Sequence, residues 1–208
     1  MFRTLAFFLG LSLVSVAPAA ENPTFEEGTH YHWVAGSGDG GGQIEVIEFF
    51  WYGCPHCNEF EPHVKEWLAG KPGDVDFVRV PATFNRPNVM LHAKTFYALE
   101  LMGAGQDAHD AIFRAMHDED RSLNTQEEME KMLAEQGVDI AAFRDALASF
   151  AVAMKVRQAA QMAQRYEIKG VPALVVDRQY RSGQVRSNAQ MVELMDFLVV
   201  ESREGRTN

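Results

Sequence analysis

The only two cysteines of the chain stand three positions apart, in the tetrad Cys54-Pro55-His56-Cys57. The β-branched and aromatic run at 43–50 predicts a buried strand before the tetrad, and a helical pattern follows it. Cys54 is therefore expected at a helix N-terminus, where unpaired N–H groups and the positive end of the helix dipole stabilise a thiolate. Pro55 fits a first helical turn, and His56 can add positive charge beside the Cys54 sulfur. Because positions i and i+3 of a helix are neighbours, Cys57 can bond to Cys54 with little backbone movement.

Other uses of this cysteine pair fit the sequence less well. A purely structural disulfide closing four residues is worth only about 2 kcal/mol in the loop-entropy model, against roughly 4.7 kcal/mol for a hundred-residue loop. Covalent haem attachment requires a histidine directly after the second cysteine, and residue 58 is Asn. A zinc or copper site needs two further ligands, and the chain has no second cysteine pair to provide them. Those ligands would have to come from scattered histidines: His30, His32, His63, His92, His109 and His117. The spacing favours a redox-active dithiol, and a metal-binding module is the alternative.

Two strands and one helix are predicted around the tetrad. With a side-chain period of two, Glu48 shares one strand face with three apolar residues, Ile44, Val46 and Phe50. The helix from Cys54 to about residue 68 is expected to be interrupted by Pro62, and residues 75–80 predict a second strand. These elements form a βαβ unit or its close equivalent.

The period of the apolar residues changes to that of helices between residues 88 and 166. Thr125 and Glu128 have the spacing of a capping box, and three apolar stripes mark buried helix faces. The stripes are Val89, Ala93, Phe96 and Leu99; Met129, Met132 and Leu133; and Ile140, Phe143, Leu147 and Phe150. Strands are expected again at 173–176 and 180–185, followed by a last helix capped by Asn188. About ninety residues separate the second and third strands, more than one crossover helix needs, so a helical insertion is predicted.

Length and composition exclude several classes of protein. The chain has 208 residues, 47% of them hydrophobic and 23% charged, which indicates a globular protein and not a disordered or collagen-like one. Its formal net charge is −10, with no long block of Lys and Arg, so nucleic acid and anionic membrane surfaces are not expected as partners.

The N-terminal residues have the pattern of a secretory signal. Arg3 precedes a largely apolar stretch of twelve residues at 5–16, and Ala17-Pro18-Ala19 has the small-x-small form of a cleavage site. An uncleaved membrane anchor is the alternative, but twelve helical residues rise only about 18 Å, against a hydrocarbon core of about 30 Å. Residues 1–19 are therefore predicted to be a signal peptide.

Three segments of the chain resemble the DsbA family of bacterial periplasmic thiol:disulfide oxidoreductases. They are Glu48-Phe-Phe-Trp-Tyr-Gly-Cys-Pro-His-Cys57, then Glu59-Phe60-Glu61, and much later Gly170-Val171-Pro172-Ala173. The resemblance implies an α/β, thioredoxin-like fold with an inserted helical domain. The expected division is a first thioredoxin-like part at 20–85, the helical domain at 86–155, and a second thioredoxin-like part at 156–208.

The resemblance also implies roles for individual residues. Cys54 corresponds to the attacking cysteine that forms the mixed disulfide, and Cys57 to the buried resolving cysteine. Pro55 and His56 tune the redox pair. Val171 and Pro172 correspond to a cis-proline loop that packs against the disulfide and offers backbone hydrogen bonds to an extended substrate.

Glu48 and Glu61 stand where the family has carboxylates near the buried cysteine, and Arg79 stands where a basic residue is usual. An ion-pair network and a role in proton transfer are both open for them, because buried carboxylates need a partner in either case. The sequence departs from the family pattern at two places. The turn at 177–179 lacks a glycine, and the stretch at 36–42 is unusually rich in it.

The expected activity is that of a periplasmic oxidase that donates the Cys54–Cys57 disulfide to unfolded secreted proteins with free cysteines. The resemblance implies reoxidation by a DsbB-type membrane protein and a monomeric state, and no organic cofactor or metal is expected. A disulfide reductase or isomerase with the same site is the alternative within this chemistry.

Overall fold

The computed structural model describes residues 24–34 and 42–207. The predicted signal peptide and nearly all of the glycine-rich stretch lie outside the described residues. The described chain contains a five-stranded mixed sheet in the order β1-β5-β4-β2-β3. Its strands are β1 (Tyr31–Trp33), β2 (Ile44–Phe50), β3 (Val75–Pro81), β4 (Ala173–Val176) and β5 (Tyr180–Ser182). β2 and β3 are parallel, and the other neighbouring pairs are antiparallel.

Five of the helices follow β3 and precede β4, so the predicted helical insertion is present. The helices are α1 (Pro55–Gly70), α2 (Pro87–Leu101), α3 (Gly105–His117), α4 (Gln126–Glu135), α5 (Ile140–Leu147), α6 (Phe150–Arg165) and α7 (Asn188–Thr207). α1 continues through Pro62, where an interruption was expected. α6 runs past position 155, so the domain boundary expected there falls inside a continuous helix.

Helices cover both faces of the sheet, which is why the central strand β2 is almost entirely buried. One face packs against α1 and α7 through a cluster that includes Val46, Val64 and Leu198. The opposite face carries Ile47 and packs against α6 in a second cluster. This layered arrangement is the α/β architecture expected from alternating strand and helix patterns.

The helical insertion has its own core, and the segment around the tetrad forms part of it. Phe50, Tyr52 and both cysteines pack in one cluster with buried residues of the inserted helices. The cluster includes the predicted α4 stripe and, of the α2 stripe, Ala93, Phe96 and Leu99. Val89 is also buried, and the capping box at Thr125 and Glu128 is confirmed. The cysteine tetrad therefore lies at the junction between the sheet and the insertion.

Three local predictions are wrong. Phe150 is 79% exposed because it is the first residue of α6, directly after the cap Ser149, and does not continue the α5 stripe. β5 ends at Ser182 and not at residue 185. The hydroxyl that caps α7 belongs to Ser187, which accepts a hydrogen bond from the Gln190 N–H, and not to Asn188.

The turn between β4 and β5 is tight although it contains no glycine. Asp177 and Arg178 both have positive φ, 52° and 57°, and the Gln179 N–H donates to the Val176 carbonyl over 3.0 Å. This is the geometry of a type I′ turn, whose twist matches that of the flanking strands. Within residues 24–34 and 42–207, no helix is long and apolar enough to cross a membrane.

Candidate active site

Cys54 is the N-cap residue of α1, as its position after a buried strand predicted. Its N–H donates to the Trp51 carbonyl over 2.9 Å, which closes the turn between β2 and the helix. Its carbonyl accepts from the N–H groups of Cys57 and Asn58, both over 3.1 Å. Pro55 occupies the first helical turn, where a missing N–H removes no helical hydrogen bond. The Cys54 side chain therefore lies at the end of α1 where N–H groups are unpaired.

The two sulfurs have different environments. Both cysteines are free thiols, and Cys54 retains 8% of its exposure whereas Cys57 has none. A hydrogen bond from the Cys57 thiol, followed by backbone N–H groups of Cys57 and His56, lowers the pKa of Cys54 to about 6 against the opposing effect of burial. Burial, together with the neighbouring Cys54 sulfur, raises the pKa of Cys57 far above its ordinary value. Near neutral pH the pair therefore holds one thiolate, at the more exposed position.

His56 lies on the surface beside the pair. Its side chain is 79% exposed, and its Nδ1 lies 3.1 Å from Oε2 of Glu59. The hydrogen bond and the charge of Glu59 raise the pKa of His56. The positive charge of His56 lowers the pKa of Cys54, but less than the hydrogen bond from Cys57 and the backbone N–H groups do.

A loop from the far end of the chain contacts the Cys54 sulfur. The Val171–Pro172 peptide bond is cis, as the resemblance implied, and the Cys54 thiol donates to the Val171 carbonyl over 3.3 Å. Val171 and Pro172 are half-buried, and β4 begins at the next residue and pairs with β2. The sheet therefore holds this loop against the start of α1.

The predicted carboxylates and Arg79 form one buried cluster. Glu48 on β2 is the register partner of Arg79 on β3, and its Oε2 lies 3.3 Å from Arg79 Nε. Glu61, on the buried side of α1, accepts from Arg79 Nη2 over 3.0 Å. One cation thus lies between two carboxyl groups, and the structure brings all three residues together.

The pKa values of the two carboxyl groups in this cluster are shifted in opposite directions. Burial, and then the charge of Glu61, raises the pKa of Glu48 to about 8, although Arg79 opposes the shift. Burial also disfavours ionisation of Glu61, but a hydrogen bond from His109 and the charges of His109 and Arg79 outweigh it and lower the pKa of Glu61. The arrangement keeps one carboxyl group protonated and the other ionised near neutral pH.

His109 on α3 completes this cluster, and no sequence pattern placed it there. Its Nε2 lies 2.9 Å from Glu61 Oε1, and its Nδ1 lies 3.1 Å from the Tyr52 hydroxyl. Burial lowers its pKa. Because 48 residues separate His109 from Glu61, only the docking of α3 on α1 brings them together. Over the part of the chain that the structure describes, no three His, Cys, Asp or Glu side chains are grouped so as to hold a metal ion.

Known thiol:disulfide interchange proteins resemble this chain over most of its length. The model of the DSBA-like thioredoxin domain family matches residues 45–196. A thiol:disulfide interchange protein DsbA of Burkholderia cepacia is 38% identical over 206 residues, which are 98% of this chain and 95% of the relative. A protein of the same name from Pseudomonas aeruginosa is 42% identical over 165 residues, 78% of this chain and 77% of the relative.

Solved structures agree with the fold. The crystal structure of Pseudomonas aeruginosa DsbA has a TM-score of 0.82 at 36% identity, covering 88% of this chain and 97% of that one. The structure of oxidoreductase DsbA from Xylella fastidiosa has a TM-score of 0.80 at 26% identity, covering 88% of this chain and 100% of that one. The thioredoxin-like fold with a helical insertion is therefore confirmed, and the chain belongs to the DsbA family of thiol:disulfide oxidoreductases.

Proposed function

We propose that this oxidoreductase works as an oxidase, donating a Cys54–Cys57 disulfide to newly secreted, unfolded proteins that have free cysteines. The observation that carries the proposal is the different placement of the two sulfurs, with Cys54 at the N-terminus of α1 and Cys57 fully buried. In keeping with this placement, the pKa of Cys54 is lowered to about 6 and that of Cys57 is raised. A stabilised Cys54 thiolate stabilises the reduced enzyme, and a disulfide whose reduced form is stabilised is a strong oxidant. DsbA is itself the established example of this relation between thiolate stability and oxidising power.

The reaction proceeds in two exchanges. A substrate thiolate attacks the Cys54 sulfur, the Cys54–Cys57 bond breaks, and Cys57 takes the electron pair and then a proton. A second substrate thiolate attacks the substrate sulfur of this mixed disulfide, and Cys54 leaves as a thiolate. The substrate gains one disulfide, and the enzyme gains the two electrons as a dithiol. A low pKa makes Cys54 a good leaving group, and its remaining exposure leaves it open to attack.

Glu48, Glu61, Pro55 and His56 tune this pair in our proposal. Glu48 is protonated near neutral pH, and its ionisation would add a negative charge that raises the pKa of Cys57. A protonated carboxyl group at this place can supply the proton that the buried sulfur needs after it leaves. Arg79 pairs with Glu61 and helps to keep it ionised. The negative charge of Glu61 in turn favours the protonated form of Glu48.

The loop at Val171 and Pro172 is the proposed substrate-binding element. The Val171 carbonyl lies 3.3 Å from the Cys54 sulfur, so an extended substrate reaching that sulfur passes along the loop backbone. Recognition through backbone hydrogen bonds suits many sequences and gives little specificity.

We further propose that the enzyme acts in the periplasm as a monomer and that a DsbB-type membrane protein reoxidises it. The signal pattern at residues 1–19 supports export. The proposed units are 20–85 and 156–208 for the thioredoxin-like domain and 86–155 for the helical domain, and the continuity of α6 leaves the last boundary open to adjustment.

The test is oxidative refolding of a reduced, disulfide-dependent protein, with the glutathione equilibrium measured on the same preparation. The oxidised enzyme should restore activity to the substrate stoichiometrically. With oxidised glutathione added as the two-electron oxidant, Cys57→Ser should accumulate a mixed disulfide with the substrate that Cys54→Ser does not form. An equilibrium as reducing as that of thioredoxin would favour the reductase alternative. Stoichiometric metal on the protein purified under reducing conditions would favour the metal-binding alternative.

A further inference from the structure

Three histidines of the inserted helices make hydrogen bonds to one dipeptide, Trp51-Tyr52. The indole Nε1–H of Trp51 donates to His92 Nδ1 over 3.0 Å. The Tyr52 hydroxyl lies 3.1 Å from His109 Nδ1, and the Tyr52 carbonyl lies 2.7 Å from His117 Nε2. We call His92, His109 and His117 the histidine clamp. Through it, α2 and α3 hold both residues that precede Gly53 and the cysteine tetrad.

The dipeptide held by the clamp aligns both sulfurs. The Trp51 carbonyl accepts the Cys54 N–H over 2.9 Å, and the Trp51 backbone N–H faces the Cys57 sulfur and lowers the pKa of that thiol. The indole of Trp51 lies over Gly53, where a Cβ would overlap the ring. A shift of Trp51 therefore changes the position of the α1 N-terminus and the hydrogen bond available to the buried sulfur.

The partners of the clamp determine where its protons lie. Nε2 of His92 lies 2.9 Å from the Leu123 carbonyl, which can only accept, so Nδ1 is the acceptor for the Trp51 N–H. Burial lowers the pKa of His92, in keeping with a neutral ring. The His117 Nε2–H donates to the Tyr52 carbonyl, and its ring stacks on Phe113 at an interplanar angle of 28°. Contacts outside the dipeptide, with Leu123 and Phe113, therefore help to orient the rings of His92 and His117.

We propose that the three residues of the histidine clamp are positioning residues for the thiol–disulfide reaction. Their hydrogen bonds to this segment go to the Trp51 indole, the Tyr52 hydroxyl and the Tyr52 carbonyl, so they act on the sulfurs through the Trp51-Tyr52 dipeptide. The inference rests on the proposed function, because it takes Cys54 as the sulfur that reacts with substrate. It gives the helical insertion a part in setting the redox potential, which depends on how well the reduced pair is aligned.

A positioning role and a merely structural role predict different measurements. The redox potential reflects the difference in free energy between the oxidised and the reduced protein. A contact that only holds the fold together stabilises both forms equally, so its loss lowers both unfolding free energies and leaves the potential unchanged. A contact that aligns the thiolate and the buried thiol stabilises the reduced form more, so its loss moves the potential.

The test compares His117→Phe with His117→Gln. Phe keeps the stacking on Phe113 but removes the N–H that reaches the Tyr52 carbonyl, whereas the Gln amide can return a donor to that place. His117→Phe should raise the pKa of Cys54, measured by thiolate absorbance, and should shift the glutathione equilibrium toward the oxidised enzyme by about threefold or more, the size of one lost hydrogen bond. His117→Gln should return both values toward wild type. His32→Phe, on the edge strand β1, is the matched control and should change neither value.

His92→Phe extends the test to α2. If this buried substitution at position 92 prevents folding, Trp51→Phe removes the same Trp51–His92 hydrogen bond by removing its donor. Both should shift the equilibrium in the same direction as His117→Phe. Equal losses of stability in both redox states, with the equilibrium and the Cys54 pKa unchanged, would overturn the proposal. Wild-type enzyme in the same refolding assay tests the proposed function separately, because an inactive wild type would contradict that function. Active variants with unchanged glutathione equilibria would contradict only the positioning role of the histidine clamp.

Discussion

The lowered pKa of Cys54 predicts how the stabilities of the two redox states differ with pH. In the reduced protein the pKa falls from its usual value of 9.0 in the unfolded chain to about 6 in the folded chain. The thiolate therefore contributes stability that is fully present above pH 9 and is lost as the pH falls through 6. The oxidised protein has no such group. The stability of the reduced form relative to the oxidised form should rise with pH across this window.

The magnitude follows from proton linkage. With these two pKa values the thiolate contributes about 1 kcal/mol at pH 7, about 3 kcal/mol at pH 8 and about 4 kcal/mol well above pH 9. The oxidised form gains only about 2 kcal/mol from closing a loop of four residues. The oxidised form should therefore be the more stable in acid, and the two stabilities should cross at about pH 7 to 8.

Urea unfolding of both redox states at half-unit steps from about pH 5 to about pH 8.5 measures this difference. Between about pH 6.5 and pH 8.5 it should rise by about 1 kcal/mol per pH unit, and below about pH 5.5 the slope should fall away. The reduced Cys54→Ser variant is the control, because it lacks the titrating group and should lose the slope. Parallel stability curves for the two redox states of the wild type would refute the lowered Cys54 pKa and with it the argument for an oxidising disulfide.

Three further substitutions have expected outcomes. Glu48→Gln should unfold at higher urea concentration than wild type, and this gain in stability should grow from about pH 4.5 to pH 8. The reason is that the wild-type carboxyl group has a pKa of about 8 in the folded protein and resists ionisation only there. A gain in stability that does not depend on pH would contradict this. His56→Ala should raise the pKa of Cys54 in thiolate titrations, yet leave it below 9.0, because the hydrogen bond from Cys57 and the backbone N–H groups remain; full recovery to 9.0 would assign the whole effect to the imidazole. Gly53→Ala should lower the free energy of unfolding by about 1–3 kcal/mol in urea melts, since the new Cβ overlaps Trp51; unchanged stability would mean that the ring moves freely.

The cysteine site could be predicted because its causes are local. The strand before Cys54, the proline that fits a first helical turn and the spacing of the two sulfurs all lie within a few residues, where periodicity and helix-end chemistry decide the structure. The buried side of Glu48 followed in the same way from the two-residue period of β2. The cis bond before Pro172 came from the family resemblance alone, since composition carries no sign of it.

The remaining contacts depend on tertiary register and docking, which no short pattern encodes. Glu48 meets Arg79 because β2 and β3 pair in one particular parallel register. His109 meets Glu61 only when α3 docks against α1, and in the sequence it was one of six scattered histidines. Phe150 shows the opposite case, because it fits a helical stripe in sequence but belongs to the next helix and faces solvent.

The raised pKa values of Glu48 and Cys57 have a common physical origin. Both groups are fully buried, and burial disfavours the charged form of each; the charge of Glu61 further raises the pKa of Glu48, and the Cys54 sulfur further raises that of Cys57. When the disulfide opens, negative charge appears on the Cys57 sulfur, and a protonated Glu48 adds no repulsion to it. A permanently ionised carboxylate at this place would oppose bond breaking. Within the described residues the oxygens of Glu48 have no aligned hydrogen bond, so its burial costs stability. In the mechanism we propose, this cost places a neutral carboxyl group where it eases reduction of the disulfide.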